Sequence, residues 1–419
     1  MAGWVLALAQ EGERPEGPLP LRPAPSAPRP QAVEPAARYN LSQPEHIDRR
    51  TISDLAAGAM DLAHLGLRDD GSDVWAARAL KWTVSAWFGV ACTHVVHEYG
   101  HMSSLSRCGC DTAVIGKVGA PLSEREDATV ERLFVHGLWP AQSRALSLGE
   151  DDWADVQARF EGRPEAFNRF WLGVEAGGLN QEQALAARYA VRLREERLSY
   201  LDTTSYLWAA SGTFFYPSNS EESDIADYIA RLKVEGREVS ASRLKALTGF
   251  RFVGGTGIAS ARGAMAGAFG TPGGFVEPLS TEPLEDLRVF WPEFESYLTL
   301  AGPTLKTSLP VRLGEWTFLP SYERSFAAGG VDHEGGARAR APFLDGILVL
   351  EGGLYVNDRG GVWQSGEAEL RPIEWVSLLV GVEAGRGYTF RRDVFGAREE
   401  VLEGSEHSLL VGLRVTLAF

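Results

Sequence analysis

The residues that end the chain, Ser408 to Phe419, alternate without a break. Leu409, Val411, Leu413, Val415, Leu417 and Phe419 share one face, and Leu410, Gly412, Arg414, Thr416 and Ala418 share the other. Side chains that repeat every second residue belong to a β-strand. Similar alternation recurs upstream in Leu305–Leu313, Ile347–Val356 and Ile373–Ala384. Leu348, Leu350, Leu354 and Val356 oppose Glu351 and Gly353, while Val376, Leu378, Val380 and Val382 oppose Ser377, Gly381 and Glu383. Strands with one greasy face and one small or charged face have two stable settings. In a water-soluble sandwich the greasy face meets a second sheet; in a membrane barrel it meets lipid and the polar face lines the lumen.

The alternation is confined to the second half. From about residue 45 to 247 the pattern is helical, with stretches such as Gln181 to Arg197 dominated by strong helix formers. Residues 11–44 are rich in proline and poor in aromatic and β-branched side chains, which reads as a linker that cannot bury enough surface to order itself. Residues 1–10 hold a short apolar run ending in Ala7-Leu8-Ala9 with no basic segment before it, read as a signal peptide truncated by a misplaced start codon, with an incidental apolar end as the alternative. The expected class is therefore α+β, with a helical domain over 45–247 and an antiparallel β domain over 248–419.

The final strand, closing on the aromatic Phe419, resembles the C-terminal strand of Gram-negative outer-membrane barrel proteins, and the resemblance extends over roughly residues 290–419. It implies a small barrel of about eight strands and location in an outer membrane, with the helical part on the periplasmic side. Trp316, Tyr322, Tyr355, Trp363, Trp375 and Tyr388 near strand ends would suit interfacial girdles. A soluble sandwich is the alternative. No spanning helix is expected: Thr83 to Val96 is uncharged but falls short of the ~20 residues needed.

A formal net charge of -15 excludes a nucleic-acid partner, since phosphate binding needs clustered Lys and Arg and the basic residues here are scattered. The three cysteines, Cys92, Cys108 and Cys110, are too few for a disulfide scaffold. Cys108-Gly109-Cys110 lacks the two-residue gap of a zinc knuckle and reads as a tight turn.

One segment carries chemistry. Behind an apolar lead-in from Trp82 to Val96 stands His97-Glu98-Tyr99-Gly100-His101. Four residues apart on a helix, His97 and His101 project from one face, so both imidazoles can reach a single zinc ion. Glu98 then flanks the metal as a general base. Gly100, costly by ~1 kcal/mol inside a helix, signals close approach of another backbone. The segment resembles the HExGH signature of zincin metallopeptidases, including the site-2 protease and Ste24-like families, which implies Zn2+ and a protein or peptide substrate.

The expected third metal ligand is Glu175, a lone carboxylate in the apolar, small-residue stretch Trp171 to Gly178, where it would be costly unless coordinated. Its rival is Asp202. The order of Ala176-Gly177-Gly178-Leu179-Asn180 and Tyr200-Leu201-Asp202 resembles that of site-2 protease motifs, but no proline follows Gly177, no glycine follows Asp202, and Asp202 equally suits a helix N-cap. His94 reads as a core residue. The expected function is a zinc metallopeptidase tethered to the outer membrane; the alternative is an outer-membrane structural protein with a non-catalytic metal or none.

Overall fold

The computed structural model describes residues 32–33, 35–40, 49–67, 74–106, 113–117, 126–127, 129–137, 144–148, 150–195, 199–215, 223–269, 276, 278–281, 284, 286–327, 333–373, 375–386 and 405–418. The signal-peptide reading of residues 1–10, Cys108, Cys110, Tyr388 and Phe419 lie outside them.

The chain enters with two short strands, β1 (Ala32–Val33) and β2 (Ala36–Asn40), then the helices α1 (Arg49–Gly66) and α2 (Trp75–Ser106). A small antiparallel sheet of β3 (Ala113–Lys117), β4 (Glu126–Asp127) and β5 (Arg144–Leu148) is interleaved with α3 (Val130–Gly137). Helices α4 (Glu150–Arg159), α5 (Pro164–Glu195), α6 (Tyr200–Phe215), α7 (Asp224–Val234), α8 (Ala241–Gly249) and α9 (Gly255–Phe269) follow. The helical part thus runs past residue 247, and the β region begins only after α9. It comprises β6 (Leu287–Val289), β7 (Glu293–Thr299), β8 (Gly302–Ser308), β9 (Val311–Leu313), β10 (Trp316–Ser325), β11 (His333–Phe343), β12 (Leu348–Asn357), β13 (Val362–Ile373), β14 (Val376–Arg386), β15 (Ser405–Val415) and β16 (Leu417–Ala418). The class is α+β, as the change of periodicity implies.

The two longest helices, α2 and α5, have 32 residues each. They share the main core with α1, α6 and α9: Ile52, Met60, Val95, Val96, Leu185, Tyr189 and Tyr206 are all buried there. A second core joins α5 to α7, α8 and β7 through Leu172, Leu179, Ile225, Tyr228, Leu232, Leu244 and Leu298. Burial of each such side chain is worth ~1.5–3 kcal/mol, so α7 is held firmly against α5.

The large sheet has 11 antiparallel strands in the order β2-β15-β14-β13-β12-β11-β10-β8-β7, with β9 beside β10 and β6 beside β9. It is not closed into a barrel, contrary to expectation: β2 and β7 end the path without meeting. Helices take up both edges. Thr51 of α1 accepts from the backbone nitrogen of Arg38 (2.8 Å) and donates to its carbonyl (3.1 Å). Asn180 of α5 does the same for Leu298 of β7, with both bonds at 2.7 Å. A barrel satisfies its edge amides by strand pairing; here side chains of α1 and α5 satisfy part of each. Residues 36–40, expected within the linker, form one of these edges because their backbone pairs with β15.

The sheet's polarity is inverted relative to a soluble sandwich. Leu350, Leu354 and Val356 of β12, Leu378, Val380 and Val382 of β14, and Leu409 and Leu413 of β15 are exposed. No second sheet covers them among the described residues. The opposite face is buried and charged. Glu369 binds Arg414 (2.7 Å) and Arg371 (2.9 Å), and Arg38 joins Glu367 (3.0 Å) to Asp54 of α1 (2.5 Å). Of the aromatic residues expected at interfaces, Trp316, Tyr322 and Trp375 are exposed, but Tyr355 and Trp363 are buried as a cross-strand pair on the inner face. Among the described residues no helix is long and apolar enough to cross a membrane.

Candidate metal centre

The motif lies on α2 where that helix crosses α5. The crossing is close because glycine faces glycine. A Cβ on Gly100 would lie 2.6 Å from the carbonyl carbon of Gly177 and 2.8 Å from Cα of Gly178. The close approach expected from Gly100 is thus present. Gly178 lies beneath the imidazoles: a Cβ there would lie 2.5 Å from Nε2 of His101 and 2.7 Å from Nε2 of His97. Small residues at 177 and 178 are what allow two histidines to point inward between packed helices.

Both rings are oriented from behind. His97 Nδ1 donates to Glu182 Oε1 at 2.8 Å, and His101 Nδ1 donates to the Val174 carbonyl at 2.7 Å. Carboxylate and carbonyl oxygens only accept, so each partner keeps a proton on Nδ1 and turns Nε2 toward the other ring. The two Nε2 atoms are 3.1 Å apart.

The carboxylate that completes this group comes from α7. Asp224 Oδ2 lies 3.0 Å from His97 Nε2 and 3.3 Å from His101 Nε2. Asp224 is the first residue of its helix, where backbone dipoles favour an anion. The α5–α7 core and a Tyr228 Oη hydrogen bond to the Thr299 carbonyl (2.6 Å) keep that helix in place. Burial alone would protonate Asp224, but the charge and hydrogen bonds of His101 and His97 hold its carboxyl well below the usual range. Burial likewise opposes charge on His97, and hydrogen bonds to Asp224 and Glu182 overcome it, keeping the ring proton well above the ordinary histidine range. The cluster therefore stands as an imidazolium–carboxylate group whose protons a cation would displace.

No family model, curated protein or solved structure matches this chain. The site must be read from its own geometry. Tetrahedral zinc with bonds of ~2.0–2.1 Å places its ligand atoms about 3.3 Å apart. The three edges of the His97–His101–Asp224 triangle, 3.0 to 3.3 Å, are that size before any adjustment. The residues fit the ion.

Glu175, the expected third ligand, lies outside this group of donors. Its carboxyl lies 3.9 Å from the Arg231 guanidinium, and burial followed by repulsion from Asp224 pushes it up to about 8. Asp202, the rival, belongs elsewhere. It binds His64 Nδ1 at 2.7 Å, and His64 Nε2 meets Ser85 Oγ at 2.8 Å. Ser–His–Asp spacing of this kind suits a nucleophile, but all three side chains are fully buried, and the relay ties α1, α2 and α6 together. Asp202 is not the N-cap it was read as: it is the third residue of α6, Ser199 Oγ accepts from its backbone nitrogen (3.2 Å), and Asp202 Oδ2 accepts in return from the Ser199 backbone nitrogen (2.9 Å).

Glu98 is buried beside the two histidines, and its charge acts on His101. Its carboxylate oxygen lies 3.8 Å from His94 Nδ1. His94 is only partly buried and lies away from the donor triangle. Sequence reasoning missed Asp224 and Glu182. A Ser223-Asp224 pair marks a helix start, yet nothing local marks a ligand. Glu182 stands two turns beyond Glu175 on the same face of α5, so the reasoning that singled out Glu175 had found the right stripe of helix.

Proposed function

We propose that this protein is a zinc-dependent peptidase that works at a membrane, with His97, His101 and Asp224 holding the ion and Glu98 as general base. The donor triangle carries the reading: ligand atoms of two buried histidines and a half-buried aspartate converge at zinc-sized distances, one residue from a buried carboxylate. Two histidines and one carboxylate can also hold ferrous iron; the adjacent Glu98 favours hydrolysis. Bound zinc would supply Lewis acidity toward a peptide carbonyl and an acidified water. Glu98 would take a proton from the attacking water on its carboxylate oxygen and return it to the leaving amine nitrogen. His97 and His101 are more enclosed than Asp224, whose side chain is 20% exposed, so a peptide would enter from the α7 side.

The sheet supports a membrane setting. Strands β10 to β15 are 10, 11, 10, 12, 11 and 11 residues long, close to the ~9–11 needed to cross the hydrocarbon core, and in β12, β14 and β15 large apolar side chains face outward while the inner face holds buried ion pairs. We assign that face to bilayer lipid, in an outer membrane, with the helical part periplasmic.

The test uses the full chain purified in detergent. Near-stoichiometric zinc by elemental analysis and cleavage of a denatured protein are expected. Glu98→Gln should keep the zinc and abolish cleavage; full activity in that variant, or no bound metal in the parent, overturns the assignment. Flotation with lipid vesicles tests the setting, and recovery without detergent would refute it.

A further inference from the structure

Glu182 is a costly residue where it stands. It is buried to 5% exposure in the helical core, where an ionised carboxylate loses its hydration. One oxygen, Oε1, receives the His97 Nδ1 proton; the other, Oε2, is buried with no hydrogen-bond partner among the described residues. A carboxylate serving only the fold would be better replaced by an apolar side chain of similar volume. The surroundings nonetheless make room for it. Gly212 of α6 lies directly against the carboxylate: a Cβ at that position would fall 2.5 Å from Glu182 Cδ and 3.0 Å from Oε1. A third helix thus cedes its side chain so that Glu182 can stand behind His97.

We infer that Glu182 is a positioning residue for the metal centre, one that fixes the His97 tautomer and ring orientation and raises the donor strength of Nε2, and that Gly212 is the clearance it requires. The inference rests on the metal reading above. A carboxylate behind a ligating imidazole orients the ring and pushes electron density toward the metal, and losing one typically costs about 10- to 100-fold in metal affinity. Glu182 touches neither the ion nor the substrate, so its effect passes entirely through His97.

The experiment measures zinc affinity by competition with a chromophoric chelator, the visible spectrum of the cobalt-substituted protein, and melting of the metal-free protein. Glu182→Gln keeps size and a hydrogen-bond acceptor but removes the charge. It should weaken zinc about 10-fold and shift the cobalt bands, with folding intact. Gly212→Ala should do the same although residue 212 contacts no metal ligand. Unchanged affinity and cobalt spectrum in Glu182→Gln, with only the melting temperature altered, would make Glu182 structural and overturn the inference while leaving the metal reading intact. A parent protein that binds neither zinc nor cobalt would overturn both.

Discussion

Replacing Gly100 with alanine probes the join between fold and site. The added methyl would fall 2.6 Å from the Gly177 carbonyl carbon and 2.8 Å from the Gly178 Cα. Carbon atoms at rest sit ~3.5–4.0 Å apart, so α2 and α5 would have to separate by about 1 Å. Both opposing atoms are backbone, so no rotamer change can absorb the clash. Overpacking of this kind costs ~1–3 kcal/mol, and the better helix propensity of alanine returns ~1 kcal/mol. A net loss of up to about 2 kcal/mol is expected in urea denaturation of the metal-free protein. The displacement would also carry Glu182 and Asp224 away from the two histidines, because α7 is docked on α5, so zinc affinity should fall in the same variant. Gly173→Ala is the control. It lies on the opposing helix α5, one turn from Gly177, with nothing within 4 Å of the added methyl, and should gain ~1 kcal/mol with affinity unchanged. A Gly100→Ala protein as stable as its parent, with full zinc affinity, would refute the claim that this contact sets the site.

Three other outcomes follow from the same geometry. Asp224→Asn should lower zinc affinity by more than the ~100-fold that outer residues cost, whereas Asp202→Asn should cost about 1–3 kcal/mol of stability at a buried hydrogen bond and leave affinity alone; chelator competition and melting curves separate the two. Glu175, pushed from 4.5 up to about 8, holds its proton in the folded state over a range where the unfolded chain has lost it. Stability of the metal-free protein should therefore decline as pH rises from about 4.5 to about 8, and Glu175→Gln should flatten that slope; parallel curves for variant and parent would contradict the assigned environment. On the outward sheet face, Val380→Lys should weaken vesicle association by about 2–4 kcal/mol if the position lies near mid-bilayer, whereas an unaffected flotation profile would argue that lipid does not cover β14.

Much was legible in the chain alone. Period-two alternation placed β12, β14 and β15 and told the greasy face from the charged one, because a strand's side-chain geometry depends only on its own residues. The spacing of His97, Glu98 and His101 likewise placed both imidazoles on one helical face, and Gly100 announced a close crossing. What the sequence could not decide depended on which elements become neighbours. The barrel reading failed at closure: the two edge strands do not meet, and Thr51 and Asn180, on helices with no local sign of such a role, satisfy part of the backbone of each. Tyr355 faces inward because it alternates with Leu354 and Val356, which the strand pattern already implied; only the register that sets Trp363 opposite it came from the fold. The third donor is the sharpest case. Glu175 sits in the more conspicuous sequence, but it is Asp224 that reaches the histidines, since packing of Ile225, Tyr228 and Leu232 against α5 and β7 brings the start of a distant helix over them. Local sequence determined which side chains share a face; only long-range packing decided which faces meet.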